Sequence, residues 1–139
     1  NMPNGRGAMA SVVVGNRVYV MGGLSDDSSG ANGVQYFRCF EPGVGWTELS
    51  ELPIGRGGSS AAVLGTKIYL AGGRSGNSGT VDNRVFVYDT ATGGPWIEDP
   101  HAMVMVREFF ALGAFDGSLY AVVGRGGGQT HDSIERTGP

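Results

Sequence analysis

Three arginines recur at near-equal spacing and are the first candidates for chemistry in this sequence. Arg6, Arg56 and Arg107 stand about 50 residues apart, each just before a run of small or apolar residues. A guanidinium group is a planar fork of N–H donors, and this geometry suits carboxylates. The alternative role is structural, in which each arginine ties loops together by donating hydrogen bonds to backbone carbonyl groups. The residues alone leave both roles open.

A second set of polar residues lies in three segments, 24–33, 74–83 and 125–132, that differ from one another in sequence. They are rich in Ser, Asp, Asn and Gly, so we predict that they are loops. Variable loops on a constant scaffold are typical of binding surfaces, and the plainer alternative is a solvated loop without a partner. The candidate contact residues in these segments are Asp26, Asp27, Arg74, Asn77, Arg125 and Gln129.

The few histidines and the one cysteine of the sequence do not indicate a metal site or a catalytic nucleophile. The histidines are His101 and His131 and the one cysteine is Cys39, whereas a metal site needs three or four converging ligands. His131 precedes Asp132 and Ser133, but adjacent residues in a strand point to opposite faces and cannot converge as a triad. We therefore predict no metal, no cofactor and no catalytic residue. Cys39 is interpreted as a small buried hydrophobe.

The run from Gly124 to Gly128 contains four glycines and Arg125. The GxGxxG spacing is absent and no P-loop lysine follows, so a phosphate loop is not indicated. As an RNA-binding Arg-Gly element it occurs once, in a chain with a net charge of −3. We predict a flexible loop and no nucleic-acid partner.

The elements that position these residues are predicted to be short strands. The chain has 139 residues, of which 26 are glycine, and is 40% hydrophobic, so it is one domain by size and too apolar to be disordered. Glycines between short apolar runs indicate tight turns and an all-β fold. No 3.6-residue apolar period predicts a helix, and no run of 18 apolar residues predicts a membrane span.

An internal repeat with a period near 50 residues is typical of blade-type folds. Tyr19, Tyr69 and Tyr120 each precede a glycine pair or its remnant Val123-Gly124. Trp46 aligns with Trp96, and we predict that both pack between blades. The predicted strands are 8–14, 17–21, 34–40 and 46–52 in the first repeat, 59–64, 67–71, 85–89 and 96–100 in the second, and 109–115, 118–122 and 133–136 in the third.

The arginine, the small-residue strand, the Tyr-x-x-Gly-Gly segment, Tyr88-Asp89 and the tryptophan together resemble the kelch repeat. The resemblance implies four-stranded antiparallel blades of a partial β-propeller across 1–139. Blade 1 would cover about 6–55, blade 2 about 56–106 and an incomplete blade 3 about 107–139. Propellers have four to eight blades, so about three cannot close a ring. Either the chain is a piece of a longer protein, or two copies pair as a homodimer to complete the ring.

The resemblance also implies a function. Arg6, Arg56 and Arg107 precede the first strand of their repeats, which we call strand A. In kelch propellers these strand-A arginines lie near the mouth of the central channel, and the predicted loops flank that face. In adaptors of the family such arginines contact acidic peptides. We therefore expect a protein-interaction module with a protein or peptide partner of acidic character, in its narrower form the substrate-recognition part of an adaptor. The alternative is a fragment of an enzyme on the same fold, of the galactose-oxidase or sialate-mutarotase type. An open array would also expose bulky residues near its two end faces, for which we name Val13, Tyr19, Phe109, Phe110 and Tyr120.

Overall fold

The computed structural model describes residues 1–27, 30–76 and 78–139, and for residues 26, 27 and 30–32 it describes the backbone alone. The described residues form strands and turns without any helix, and so none of them could span a membrane as a helix. Three antiparallel sheets follow one another along the chain, and we call each a blade. This architecture confirms the predicted all-β class and the partial propeller of three blades.

Blade 1 is a four-stranded sheet in the order β1-β2-β5-β6, with a separate hairpin of β3 and β4. Its strands are β1 (Ala10–Val14), β2 (Arg17–Met21), β3 (Leu24–Asp27), β4 (Gly30–Gly33), β5 (Phe37–Glu41) and β6 (Gly45–Glu48).

Blade 2 repeats this arrangement in the order β8-β9-β12-β13, and β7, β10 and β11 form a small sheet beside it. Its strands are β7 (Arg56–Gly57), β8 (Ser60–Leu64), β9 (Lys67–Ala71), β10 (Arg74–Ser75), β11 (Thr80–Val81), β12 (Val85–Asp89) and β13 (Ile97–Asp99).

Blade 3 has three main strands in the order β14-β15-β18, and β16 and β17 form its hairpin. Its strands are β14 (Ala111–Phe115), β15 (Ser118–Val122), β16 (Arg125–Gly126), β17 (Gln129–Thr130) and β18 (Ile134–Thr137).

The segments that we predicted to be loops each contain a short antiparallel hairpin, so that prediction was wrong in part. The hairpins also pair with the residue that follows each strand-A arginine, as in the bridges Gly7–Leu24 and Glu108–Arg125. Their polar composition concealed this pairing, because a strand without a buried face shows no alternation of apolar residues. Five of the predicted contact residues lie on strands of these hairpins: Asp26, Asp27, Arg74, Arg125 and Gln129.

The first main strand of each blade begins one or two residues later than predicted. Ala8, Gly58 and Phe109 precede these strands with φ angles of 51°, 69° and 51°, and backbone with positive φ cannot continue a strand. The same residues link the blades, because the Gly58 N–H donates to the Ala8 carbonyl at 2.8 Å and the Phe109 N–H donates to the Gly58 carbonyl at 2.7 Å. The three turns are therefore connected by backbone hydrogen bonds, one between each pair of neighbouring blades.

Two apolar clusters fill the spaces between blades 1 and 2 and between blades 2 and 3. Trp96 is 5% exposed, and its ring centre lies 5.0 Å from that of Phe37 in blade 1, which confirms its predicted position. Trp46 departs from the prediction. It is half-buried and packs on Phe40 of its own blade at 5.3 Å, because no further blade lies on that side in the described part of the chain.

The outer face of blade 3 is an open apolar patch of Phe115, Tyr120, Val122 and Ile134, with Phe115 73% exposed. Val13 is exposed on blade 1, and Phe109 is exposed in the turn before β14. Our placement of Tyr19 and Phe110 near the open faces was wrong, because both are buried between blades. Tyr19 belongs to the first inter-blade cluster and Phe110 to the second.

In blade 2 the two glycines that follow β9, Gly72 and Gly73, have different neighbours. A Cβ on Gly72 would lie 2.5 Å from the carbonyl oxygen of Arg107 in the next blade, whereas a Cβ on Gly73 would lie 2.8 Å from that of Gly57 in its own blade. The first glycine therefore makes room for the following blade and the second for the same blade. Val123 occupies the first position in blade 3, with φ at 54°.

Candidate functional site

Arg56 is built into blade 2. Its side chain is 1% exposed, and Nη1 donates to the carbonyl oxygen of Gly72 at 2.6 Å. Nη1 and Nη2 each lie 3.2 Å from a carboxylate oxygen of Asp82, and the guanidinium carbon lies 4.5 Å from the centre of the Phe86 ring. This is the structural role that the sequence left open, and it places the group where a partner cannot reach it.

Arg107 has the corresponding place in blade 3 and is also fully buried. Its Nη1 donates to the carbonyl oxygen of Val123, and its Nη2 donates to the Ser133 hydroxyl at 2.7 Å. The Glu135 carboxylate lies 3.6 Å from Nη2. Arg107 therefore repeats the backbone contact of Arg56, with the Val123 carbonyl in the position of the Gly72 carbonyl. Its side-chain acceptor is Ser133, whereas that of Arg56 is Asp82.

Arg6 has the corresponding place in blade 1 but has no hydrogen-bond acceptor in the described residues. Within residues 1–27, 30–76 and 78–139, its three buried guanidinium nitrogens have no hydrogen-bond acceptor. Val34 stands where blade 2 has Asp82, since the N–H of each bonds the carbonyl of the second glycine of its blade. Burial, and after it the charge of Arg38, lower the pKa of Arg6. In the described residues its charge faces an aromatic ring instead of an acceptor, since the guanidinium carbon lies 5.2 Å from the centre of the Tyr36 ring.

The hairpin arginines form a different arrangement, centred on Glu108. Arg74 from β10 donates to the two Glu108 carboxylate oxygens, from Nε at 3.2 Å and from Nη2 at 3.0 Å. Arg125 from β16 donates from Nε to the same carboxylate at 2.9 Å. Glu108 itself is buried, whereas the Arg125 side chain is 57% exposed. A carboxylate of blade 3 thus holds together arginines from two neighbouring blades.

These side chains form one wall of a cleft of about 400 Å³ between the hairpins of blades 2 and 3. Val81 and residues 126–130, including Gln129, complete the lining. Burial by itself raises the pKa of Glu108, but the hydrogen bonds from Arg74 and Arg125 outweigh burial and the pKa lies below its ordinary value. Glu108 is therefore ionised at neutral pH, and two guanidinium groups against one carboxylate leave the cleft with net positive charge.

Sequence reasoning named Arg74 and Arg125 but missed Glu108. The signal was the residue after each strand-A arginine, which is Gly7 in the first repeat, Gly57 in the second and Glu108 in the third. Among the remaining predicted contact residues, Asp26 and Asp27 belong to β3 with only their backbone described, and Asn77 lies outside the described residues.

Neither histidine takes part in the cleft. His101 Nδ1 lies 2.9 Å from the Asp99 carboxylate, and His131 Nε2 lies 3.2 Å from the Val106 carbonyl oxygen. Within the part of the chain that the structure describes, no three His, Cys, Asp or Glu side chains are grouped so that they could hold a metal ion. Cys39 is buried in the first inter-blade cluster, as predicted.

Residues 55–93, which run from just before β7 to just after β12, match the family model of the kelch motif. The chain carries a kelch repeat. The match confirms the resemblance seen in the sequence, and the kelch repeat coincides with the blade whose arginine, glycine pair and aspartate are all present. No curated protein matches the chain.

Proposed function

We propose that the chain is a protein-interaction module of the kelch β-propeller type, and that an acidic segment of its partner binds at the cleft lined by Arg74 and Arg125. The observation that carries the proposal is that arginines from two blades converge on one carboxylate beside open space. Donors that hold Glu108 can also hold a carboxylate from outside, because guanidinium groups offer several N–H donors each.

Of Arg74 and Arg125, the more exposed arginine, Arg125, is the one to substitute in a test. Arg125 donates to Glu108 through Nε and is more than half exposed, so a partner can reach it without unfolding the blade. A hydrogen bond to a charged group contributes roughly 1.5–3 kcal/mol, so Arg125→Ala should weaken the binding of an acidic peptide roughly 10-fold to 100-fold. Fluorescence polarisation with a labelled peptide of alternating Glu and Gly residues measures this.

A matched control is Arg17→Ala. Arg17 is also an exposed arginine in an ion pair, with Glu41 at 2.8 Å, but it lies at the other end of its blade. Binding of the probe should be unchanged in this variant and should weaken with added salt in the wild type. Equal weakening by both substitutions, or no binding by the wild type, would show that the cleft is not an acidic-peptide site.

A role as the substrate-recognition part of an adaptor is supported by the interaction module alone. As part of the same proposal, we assign no enzymatic activity, and a copper titration with a radical absorbance assay tests the galactose-oxidase alternative. A stoichiometric coloured copper site would overturn the assignment.

A homodimer that completes a ring is supported by the exposed apolar residues on the end faces, Val13 in blade 1 and Phe115 in blade 3. Val123 opposes it, because at the other two junctions the next blade leaves no room for a side chain at this position. Light scattering at micromolar concentration decides whether the chain dimerises. A stable monomer that binds no hydrophobic dye would overturn this proposal and leave the peptide site untouched.

A further inference from the structure

The sulfur of Met105 lies beside two hydrogen-bond donors. Nη2 of Arg107 is 3.8 Å from the sulfur, and the hydroxyl oxygen of Ser133 is 3.7 Å from it. A thioether sulfur is a weak acceptor, whereas a guanidinium group is a strong, charged donor. Two donors therefore meet at an atom that satisfies them poorly, and an oxygen at this place would satisfy them better.

The same guanidinium group is short of acceptors. Arg107 is fully buried, and its Nε has no hydrogen-bond partner in the described residues. Nη2 donates to the Ser133 hydroxyl at 2.7 Å, and the Glu135 carboxylate stays at 3.6 Å. A buried charged group with too few acceptors costs free energy. A further oxygen beside Arg107 should therefore stabilise the fold.

Met105 is both held in place and open to solvent. Its N–H donates to the Glu135 carboxylate at 3.3 Å, and the Val104 N–H donates to the same carboxylate at 3.0 Å. Met105 is 36% exposed. Its counterpart before blade 2 is Ile54, which also stands two residues before the strand-A arginine and is half-buried although blade 3 follows blade 2. The exposure of this position is therefore a property of the junction between blades.

We propose that Met105 is a site of oxidation by peroxides, and that its sulfoxide stabilises the junction of blades 2 and 3. A lone pair of the sulfur attacks one oxygen of hydrogen peroxide, so that an S–O bond forms and the O–O bond breaks. The sulfur is oxidised by two electrons, and the other peroxide oxygen leaves as hydroxide. The proton on the transferred oxygen passes to the hydroxide, which gives water.

The donors determine the sign of the effect. The sulfoxide oxygen projects from the sulfur by one bond, so an oxygen directed between Arg107 Nη2 and the Ser133 hydroxyl is within hydrogen-bond reach of both. In an apolar core the same oxidation disrupts packing, because it places a polar group among apolar side chains. At Met105 the effect is reversed, because donors are already in place. The site is separate from the cleft at Arg74 and Arg125, so the inference does not depend on the proposed function.

The first test measures the modification itself. Met9 is 42% exposed and Met2 is half-buried, whereas Met21 and Met103 are 1% and 2% exposed. The chain with Met2→Leu and Met9→Leu is treated with hydrogen peroxide, and peptide mass spectrometry measures the sulfoxide at each remaining methionine. Conversion of Met105 with little conversion of Met21 and Met103 is expected. If Met105 stays reduced under conditions that convert Met9 of the wild type, the proposal is overturned.

Thermal unfolding of the oxidised and reduced forms of this chain measures the sign. A rise in Tm of about 4 °C is expected on oxidation, which is the shift that one further hydrogen bond gives in a domain of this size. The control carries Met105→Leu in addition, and its Tm should be unchanged by peroxide. An unchanged or lower Tm after oxidation of Met105 would overturn the proposal.

Two further substitutions test the donors. Ser133→Ala removes one donor, so oxidation should raise Tm by less than in the parent chain, and each variant is compared with its own reduced form so that any cost of the substitution cancels. Met105→Gln places an amide oxygen on a side chain of similar length without peroxide, and its Tm should exceed that of Met105→Leu. A full rise in Ser133→Ala, or equal Tm values for the two Met105 variants, would show that these donors do not bind the oxygen and would overturn the proposal.

Discussion

Arg56 and Asp82 face each other inside blade 2 through two hydrogen bonds of 3.2 Å, and blade 1 has the arginine without the acid. Val34 occupies the position of Asp82 there, so the Arg6 guanidinium is buried with no acceptor in the described residues. A buried charge that is paired holds its surroundings together, whereas an unpaired one opposes folding. The same substitution should therefore have opposite consequences in the two blades.

Arg56→Met should destabilise the chain by roughly 1.5–3 kcal/mol, because it removes the hydrogen bonds from Arg56 to the Gly72 carbonyl and to Asp82. Arg84 remains as a counter-ion of Asp82 at 2.8 Å. Arg6→Met should be neutral or stabilising, because it removes an unpaired charge and keeps most of the side-chain volume. Urea unfolding of the two variants beside the wild type measures both free energies. A large loss of stability in Arg6→Met would mean that Arg6 has a counter-ion in the folded chain.

Trp96 and Trp46 should differ in the same experiment. Trp96 is buried between two blades and Trp46 is half-buried on one, and removal of a buried aromatic side chain costs roughly 3–5 kcal/mol. We expect Trp96→Ala to lose that amount and Trp46→Ala to lose less than half of it. Equal losses would contradict the described difference in packing.

Glu108 should make stability depend on pH. Its pKa in the folded chain lies below the ordinary value of 4.5, because the hydrogen bonds from Arg74 and Arg125 outweigh the effect of burial. Its contribution is therefore complete above about pH 4.5 and is lost as the pH falls through the lower folded value.

The matched variant is Glu108→Gln, which cannot ionise. The difference in unfolding free energy between wild type and variant should be large at neutral pH and should shrink as the pH falls below about 4.5. Denaturant unfolding at a series of pH values measures it. A difference that stays constant with pH would show that the carboxylate is not the group that holds the two arginines.

The sequence predicted the central strands well because their signals are local. Strands β2, β9 and β15 begin and end at the predicted residues, since a tight turn precedes each and a glycine or its substitute follows. The start of β1 and β14 was missed because Ala8 and Phe109 adopt positive φ, and nothing about an alanine or a phenylalanine signals that conformation.

The candidate site was predicted only in part. Arg74 and Arg125 were expected to contact a partner, but their joint contact with Glu108 joins residues 34 and 17 positions apart. Such a contact depends on how two blades are placed side by side, and no local pattern reports it. The burial of Arg56 and Arg107 was open for the same reason, because a repeated arginine is compatible with either role until its acceptors are seen.

The glycine pair gives a fourth prediction. Gly72→Val should lower soluble yield far more than Ser78→Val, because a Cβ at residue 72 meets the Arg107 carbonyl oxygen at 2.5 Å whereas Ser78 is exposed. From the sequence we also expect a larger loss of soluble yield at Gly73.

Val123→Gly should stabilise the chain by about 1 kcal/mol, because it relieves a β-branched residue at positive φ. Parallel expression trials and thermal unfolding measure these effects, and similar yields for all variants would count against the described geometry.

Val123 also limits how this chain can be engineered. A tandem protein made by copying whole repeats onto the end of blade 3 would place a new arginine carbonyl against the isopropyl group, if the new blade sat as blades 2 and 3 do. Restoring glycine at this one residue is therefore the first edit that such a concatenated array needs. In a design with a chosen number of repeats, the residue at this position therefore controls where the array ends. Glycine allows another blade to pack there, and a branched side chain prevents it.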